Sequence, residues 1–198
     1  MEMNKEHCYC LHKKDEEYIK WLIQLLGPVL LGAKPAEIMS FPKCDQEGEN
    51  RLESVKKIFE SCKKVSFIEI DVPLQCKKVI FYNSIALNDA LRDARNLKFL
   101  KTIGYPLEYD FENYLNTLVE KIRSGNIPDE IGIFLGYPLK DVIGFIGHPA
   151  LKLTKVNGWR IYGDPRVSDE KYESITFAKK KVKTLLQYHT PMDIVQYA

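Results

Sequence analysis

The stretch from Asn126 to Gly147, NIPDEIGIFLGYPLKDVIGFIG, constrains the fold most, because it joins a dense apolar run to a turn that few sequences can make. Ile131, Ile133 and Leu135 alternate with Gly132 and Phe134 between Pro128 and Gly136-Tyr137-Pro138, which reads as a short buried strand. Proline suits the first helical position, since its fixed φ matches the helix and its missing N–H would have no partner there. Pro138 therefore begins a helix running to about Ile146, with Leu139, Val142, Ile143 and Ile146 on one face. A strand passing through a glycine turn into a helix N-terminus aims backbone N–H groups at one point, a geometry that suits anions. The spacing is not that of a phosphate loop, because neither G-x-x-x-x-G-K-[ST] nor G-x-G-x-x-G is present. The plain alternative is a tight connection in which Gly136, Tyr137 and Pro138 only pack. An echo, Ile103-Gly104-Tyr105-Pro106-Leu107-Glu108, precedes it, but so short a match is not a repeat fold.

Around this stretch the chain reads as alternating helices and hairpins. Asp15 to Leu26 is an amphipathic helix ended by Gly27-Pro28, followed by a short strand or turn and a brief helix near Ala36 to Met39. Lys34, in apolar surroundings, packs its stem and sends its amine to solvent. After a polar loop, Asn50 to Lys64 is a second amphipathic helix. Val65 to Ile70 and Lys78 to Tyr82 form an antiparallel pair, and Asn83 or Ser84 caps a helix through Leu87 and Leu91. A short helix lies within Ala94 to Ile103, and Asp110 and Gly125 bound a helix from Phe111 to Arg123 whose apolar stripe is core.

Asn157-Gly158 predicts a type I′ hairpin between Leu151–Val156 and Trp159–Tyr162. Ser168 caps a long helix to about Tyr188, whose Lys179, Lys180, Lys181 and Lys183 spread over a solvated surface. The expected class is α+β, a mainly antiparallel sheet of about five strands packed by several helices, with residues 1–14 as a flexible tail and 15–198 as a single domain.

The 29 basic and 27 acidic residues leave a net charge of +2, so no global field points to nucleic acid or an anionic membrane. No apolar run reaches the ~18 residues needed to span a bilayer. The N-terminus lacks a signal-peptide core, and five cysteines at irregular spacing fit reduced thiols, so a cytoplasmic location is expected.

Three readings of function follow. In the first, a small molecule or protein partner is accommodated near Gly136, Tyr137 and Pro138, with Tyr105 and Trp159 as aromatic walls. In the second, an enzyme uses Glu130, Asp141 or His148, although no G-x-S-x-G, H-E-x-x-H or C-x-x-C is present and no motif specifies a cofactor. In the third, His7, Cys8, Cys10 and His12 capture a soft metal, despite lacking the separated ligand pairs of a structural zinc site.

The central stretch also resembles the signature P-H-E-I-G-I-F-L-G-Y-P-L-E-D-V-x-G-F-I of an uncharacterised bacterial family, a domain of unknown function known chiefly from anaerobic Gram-positive bacteria. Pro128, Glu130 through Leu139, Asp141, Val142, Gly144, Phe145 and Ile146 carry the match. Gly32 to Ala36, Phe99 to Pro106 and Gly158 to Tyr162 extend it over most of the chain. Asp129 and Lys140 depart from it, standing where the family has a histidine and an acidic residue, so no role of that histidine carries over. The resemblance implies relatives, not an activity.

Overall fold

The computed structural model describes residues 15–43, 46–73 and 76–197. The proposed N-terminal tail and its His7, Cys8, Cys10 and His12 lie outside them. In chain order the elements are α1 (Asp15–Leu30), β1 (Ala36–Pro42), α2 (Gln46–Glu60), β2 (Val65–Asp71), β3 (Cys76–Asn83), α3 (Ser84–Arg92), α4 (Ala94–Thr102) and α5 (Phe111–Arg123). They continue with α6 (Ile131–Phe134), α7 (Leu139–Ile146), β4 (Leu153–Asn157), β5 (Trp159–Tyr162), α8 (Arg166–Leu185) and α9 (Pro191–Tyr197).

A three-stranded antiparallel sheet, ordered β1-β3-β2, forms the middle of the molecule. Side chains alternate across a strand, so β3 sends Val79 and Phe81 to one face and Ile80 and Tyr82 to the other, and all four are buried. The first face packs Met39, Phe41 and Val65 against Leu22, Leu26, Val55, Phe59, Val182 and Val195 of the flanking helices. The second packs Ala36 and Ile70 against Leu87, Leu100, Tyr114, Leu118, Phe134 and Val142. A central strand covered on both sides explains why β3 carries four apolar residues in succession, Val79 to Tyr82.

Mixed helix and sheet is correct, but the strands do not form one five-stranded sheet: β4 and β5 make a separate two-stranded sheet. The strand read at Ile131–Leu135 is instead a helical turn, closed by Leu135 N–H donating to Ile131 O at 2.9 Å. A short apolar run buried on all sides has no periodicity to separate strand from helix. The converse error lies at Ala36–Met39, read as a brief helix and found in β1, where pairing with Ile80 and Tyr82 outweighs local preference.

Four local readings also change. α1 runs through Pro28 to Leu30 rather than stopping at Gly27. A Cβ on Gly27 would stand 2.8 Å from Val182, so this glycine lets α8 cross closely. α2 starts at Gln46, not Asn50. At the 157–158 turn only Gly158 has positive φ, because no non-glycine described residue does, so the hairpin is not type I′. Ser168 lies inside α8, which begins at Arg166 and ends at Leu185. The caps Asn83 and Asp110 are as expected, each accepting a helical N–H.

Candidate functional site

The turn after α6 is held by two close approaches. Gly136 has φ +79°, and a Cβ there would lie 2.4 Å from Pro35 Cδ, so this position demands glycine for conformation and for space. Gly144 in α7 lies so close to Tyr162 that an added Cβ would come within 2.4 Å of the ring. Gly132 likewise leaves room for Val142 and Tyr137. The glycines of the central stretch thus bring α6, α7, β5 and the segment 33–37 together.

Asp141 ties these pieces. Its Oδ1 accepts from Lys140 Nζ at 2.6 Å and from the Tyr162 backbone N–H at 2.9 Å. Its Oδ2 accepts from Trp159 Nε1 at 2.8 Å and from Ser168 Oγ at 2.6 Å. Burial alone would raise its pKa, but these donors outweigh it and hold the carboxyl below its ordinary value. Lys140 also donates to Tyr162 O at 2.9 Å and to Ser168 Oγ at 2.7 Å, so one ion pair joins α7, β5 and α8.

The indole that Asp141 anchors stacks on Tyr137, with centroids 4.6 Å apart and planes 17° from parallel. Tyr172 of α8 stands 6.2 Å from the same indole. Both members of the stack are half-buried. Beneath Tyr137 lies Lys34, whose amine sits 5.5 Å from the ring centroid and donates to Glu37 Oε2 at 2.8 Å. The expectation that Lys34 sends its amine to solvent is overturned: the side chain is 8% exposed, against 18% for Glu37. Burial would depress its pKa, yet Glu37 outweighs burial and raises it. Lys171 of α8 reaches the same place, donating to Ala33 O at 2.9 Å. Burial and the charge on Lys34 push its pKa down.

The residues expected to form one site are divided. Gly136, Tyr137, Pro138 and Trp159 come together, whereas Tyr105 belongs to a second group. Its ring packs on Tyr114 and Phe134, and its hydroxyl donates to Glu130 Oε1 at 3.3 Å. Lys121 also donates to that oxygen at 2.6 Å and lies 4.5 Å above the Tyr105 ring. Burial and the Glu130 carboxylate push the Tyr105 phenol up. His148 is exposed, and its Nδ1 accepts from the Ala150 N–H at 3.3 Å. Among the described residues, no group of three or more His, Cys, Asp or Glu side chains could hold a metal ion.

Sequence reading missed Glu37, Ser168 and Lys171, and read Lys34 as peripheral. Lys34 did carry a signal, a cation set between Gly32 and Pro35 in an apolar segment. Ser168 and Lys171 carried none, since their partners lie far away along the chain.

No helix among the described residues is long and apolar enough to cross a membrane. No curated protein and no solved structure matches the chain. A family model described as a protein of unknown function, DUF3793, matches residues 22–195, and the chain belongs to that family.

Proposed function

We propose that the protein is a binding module that accommodates a small molecule at the Gly136-Tyr137-Pro138 turn, with Trp159 and Tyr137 as its aromatic wall. The observation that carries this reading is the fixed, half-buried Tyr137–Trp159 stack: the indole N–H is bound to Asp141, whose remaining acceptors are occupied by Lys140, Tyr162 and Ser168. A wall locked before a ligand arrives loses little conformational entropy on binding. Lys34, Glu37 and Lys171 supply polar contacts beside it. Apolar surface with a few convergent polar groups is the usual composition of a small-molecule site.

On this reading Asp141 is a positioning residue rather than a general base, because four donors occupy its oxygens and lower its basicity. The ion pair with Lys121 and the hydroxyl of Tyr105 make Glu130 part of the packing beneath α6.

The test is a thermal-shift screen of a metabolite collection against wild type, Trp159→Phe and Trp159→Ala. A ligand at this wall stabilises wild type in proportion to RT ln(1 + [L]/Kd). The effect should shrink in Trp159→Phe and vanish in Trp159→Ala. Hits that stabilise all three proteins equally bind elsewhere and refute the reading.

A further inference from the structure

We propose that the site beside the Tyr137–Trp159 stack takes a small organic oxyanion, a carboxylate or a phosphate group, on the ammonium of Lys171, with Lys34 and the Tyr137 hydroxyl beside it. This rests on the ligand reading above and names the ligand's charged group.

The argument is one of unbalanced charge. Lys171 reaches from α8 to the segment that carries Lys34, close enough to feel its charge, and Lys34 is neutralised by Glu37. Among the described residues, Lys171 has no carboxylate within ion-pairing distance, and its one acceptor is the neutral carbonyl of Ala33. An ammonium carries three N–H donors, so two remain without a protein partner. Partial burial weakens the hydration of such a cation, which favours an anion as its partner.

The Tyr137 hydroxyl adds another donor, since no described protein group hydrogen-bonds to it although it feels the charges of both Lys34 and Glu37. The Lys171 side chain runs past the turn itself, for a Cβ on Gly136 would lie 3.4 Å from its Cε. Arginine is the usual reader of bidentate anions, and a lysine in its place supplies a point charge that accepts either carboxylate or phosphate. A small ligand is favoured by the chain as a whole: a net charge of +2 gives no extended field for a polyanion, so the attraction is local to Lys171.

The test uses the full chain with Trp21→Phe, which leaves Trp159 as the sole indole and its fluorescence as the reporter. Inorganic phosphate and benzoate are titrated at constant ionic strength, with benzamide as the neutral counterpart of benzoate. The expected result is a saturable change with one or both anions and none with benzamide. Lys171→Gln should weaken it by about tenfold or more, the loss of one charged hydrogen bond. Lys171→Arg, which keeps the charge, should retain most of it. Circular dichroism of both variants establishes that they are folded.

A response unchanged in Lys171→Gln, or no saturable response to either anion, overturns the proposal. Benzamide binding as tightly as benzoate overturns the oxyanion and leaves the ligand reading standing. The ligand reading itself fails through the Trp159 variants above, which do not depend on the ligand's charge.

Discussion

Asp141→Asn is the substitution whose consequence follows most directly from the geometry. The change preserves shape but replaces one acceptor oxygen with an NH₂ donor. Placed at Oδ1, the amide nitrogen faces the Lys140 ammonium and the Tyr162 N–H; placed at Oδ2, it faces the Trp159 N–H and the Ser168 hydroxyl. Ser168 can rotate to accept, whereas the Trp159 N–H cannot, so the second orientation leaves the indole without its partner and Lys140 beside a neutral amide. Asp141 is 2% exposed and Ser168 is fully buried, so water does not readily replace what is lost. Losing a hydrogen bond to a charged group costs about 2 kcal/mol, a large part of the 5–15 kcal/mol, roughly, by which domains are stable.

For a chain of this size that corresponds to a drop in Tm of about 4–8 °C. Urea denaturation followed by circular dichroism and by Trp159 fluorescence in a Trp21→Phe background would measure it. The pH dependence is a second signature. The folded pKa of Asp141 is depressed below its ordinary 3.8, so its contribution is fully present above that value and is lost as pH falls through the folded pKa. The difference between wild type and Asp141→Asn should therefore narrow in acid. A difference below about 0.5 kcal/mol at neutral pH, the level of an ordinary surface substitution, would refute the network as the anchor of the stack.

Three further outcomes are expected. Gly136→Ala should destabilise by about 3 kcal/mol, combining left-handed backbone with overpacking against Pro35. Gly104→Ala, at φ +96° with open space around it, should cost about 1–2 kcal/mol; equal losses by denaturant titration would contradict the packing argument. Lys34→Met should destabilise by about 3 kcal/mol because it strands the Glu37 carboxylate, and Lys34→Met/Glu37→Leu should recover much of that in the same assay. Tyr105→Phe should lose about 1 kcal/mol, one neutral-to-charged hydrogen bond at long distance, while leaving any ligand-induced Trp159 signal unchanged.

Where the sequence was informative, local physics decided the structure. The stripe of Tyr114, Leu115, Leu118, Val119 and Ile122 and the caps Asn83 and Asp110 needed no distant partner, and they stand as read. The β2–β3 pair and the 153–162 hairpin likewise follow from strand composition and the glycine between β4 and β5, although the turn type does not. The errors arose where tertiary contacts decide. Ile131–Phe134 is equally apolar as strand or helix, and only its fit against Val142 and Tyr137 selects the turn. Ala36–Pro42 becomes a strand because β3 offers it an edge.

At the site, Gly136, Tyr137 and Trp159 could be chosen from turn chemistry and aromatic character. Tyr105 could not be separated from them, because the two Gly-Tyr-Pro sequences differ in surroundings rather than in residues. The lysines were hidden for a related reason: Lys34 is buried by Tyr137 and paired with Glu37, and Lys171 arrives from another helix. Lys140, a departure from the family signature, is an integral partner of Asp141 here.

Native mass spectrometry of freshly purified full-length wild type and Trp159→Ala, each compared with its denatured mass, would put the binding reading to the most direct test. The expected result is a mass excess on wild type that disappears on denaturation and is absent from Trp159→Ala. The same excess on both proteins would place the bound molecule elsewhere, and an apo mass for wild type, joined to a thermal-shift screen without a Trp159-dependent hit, would contradict a small-molecule site at this turn.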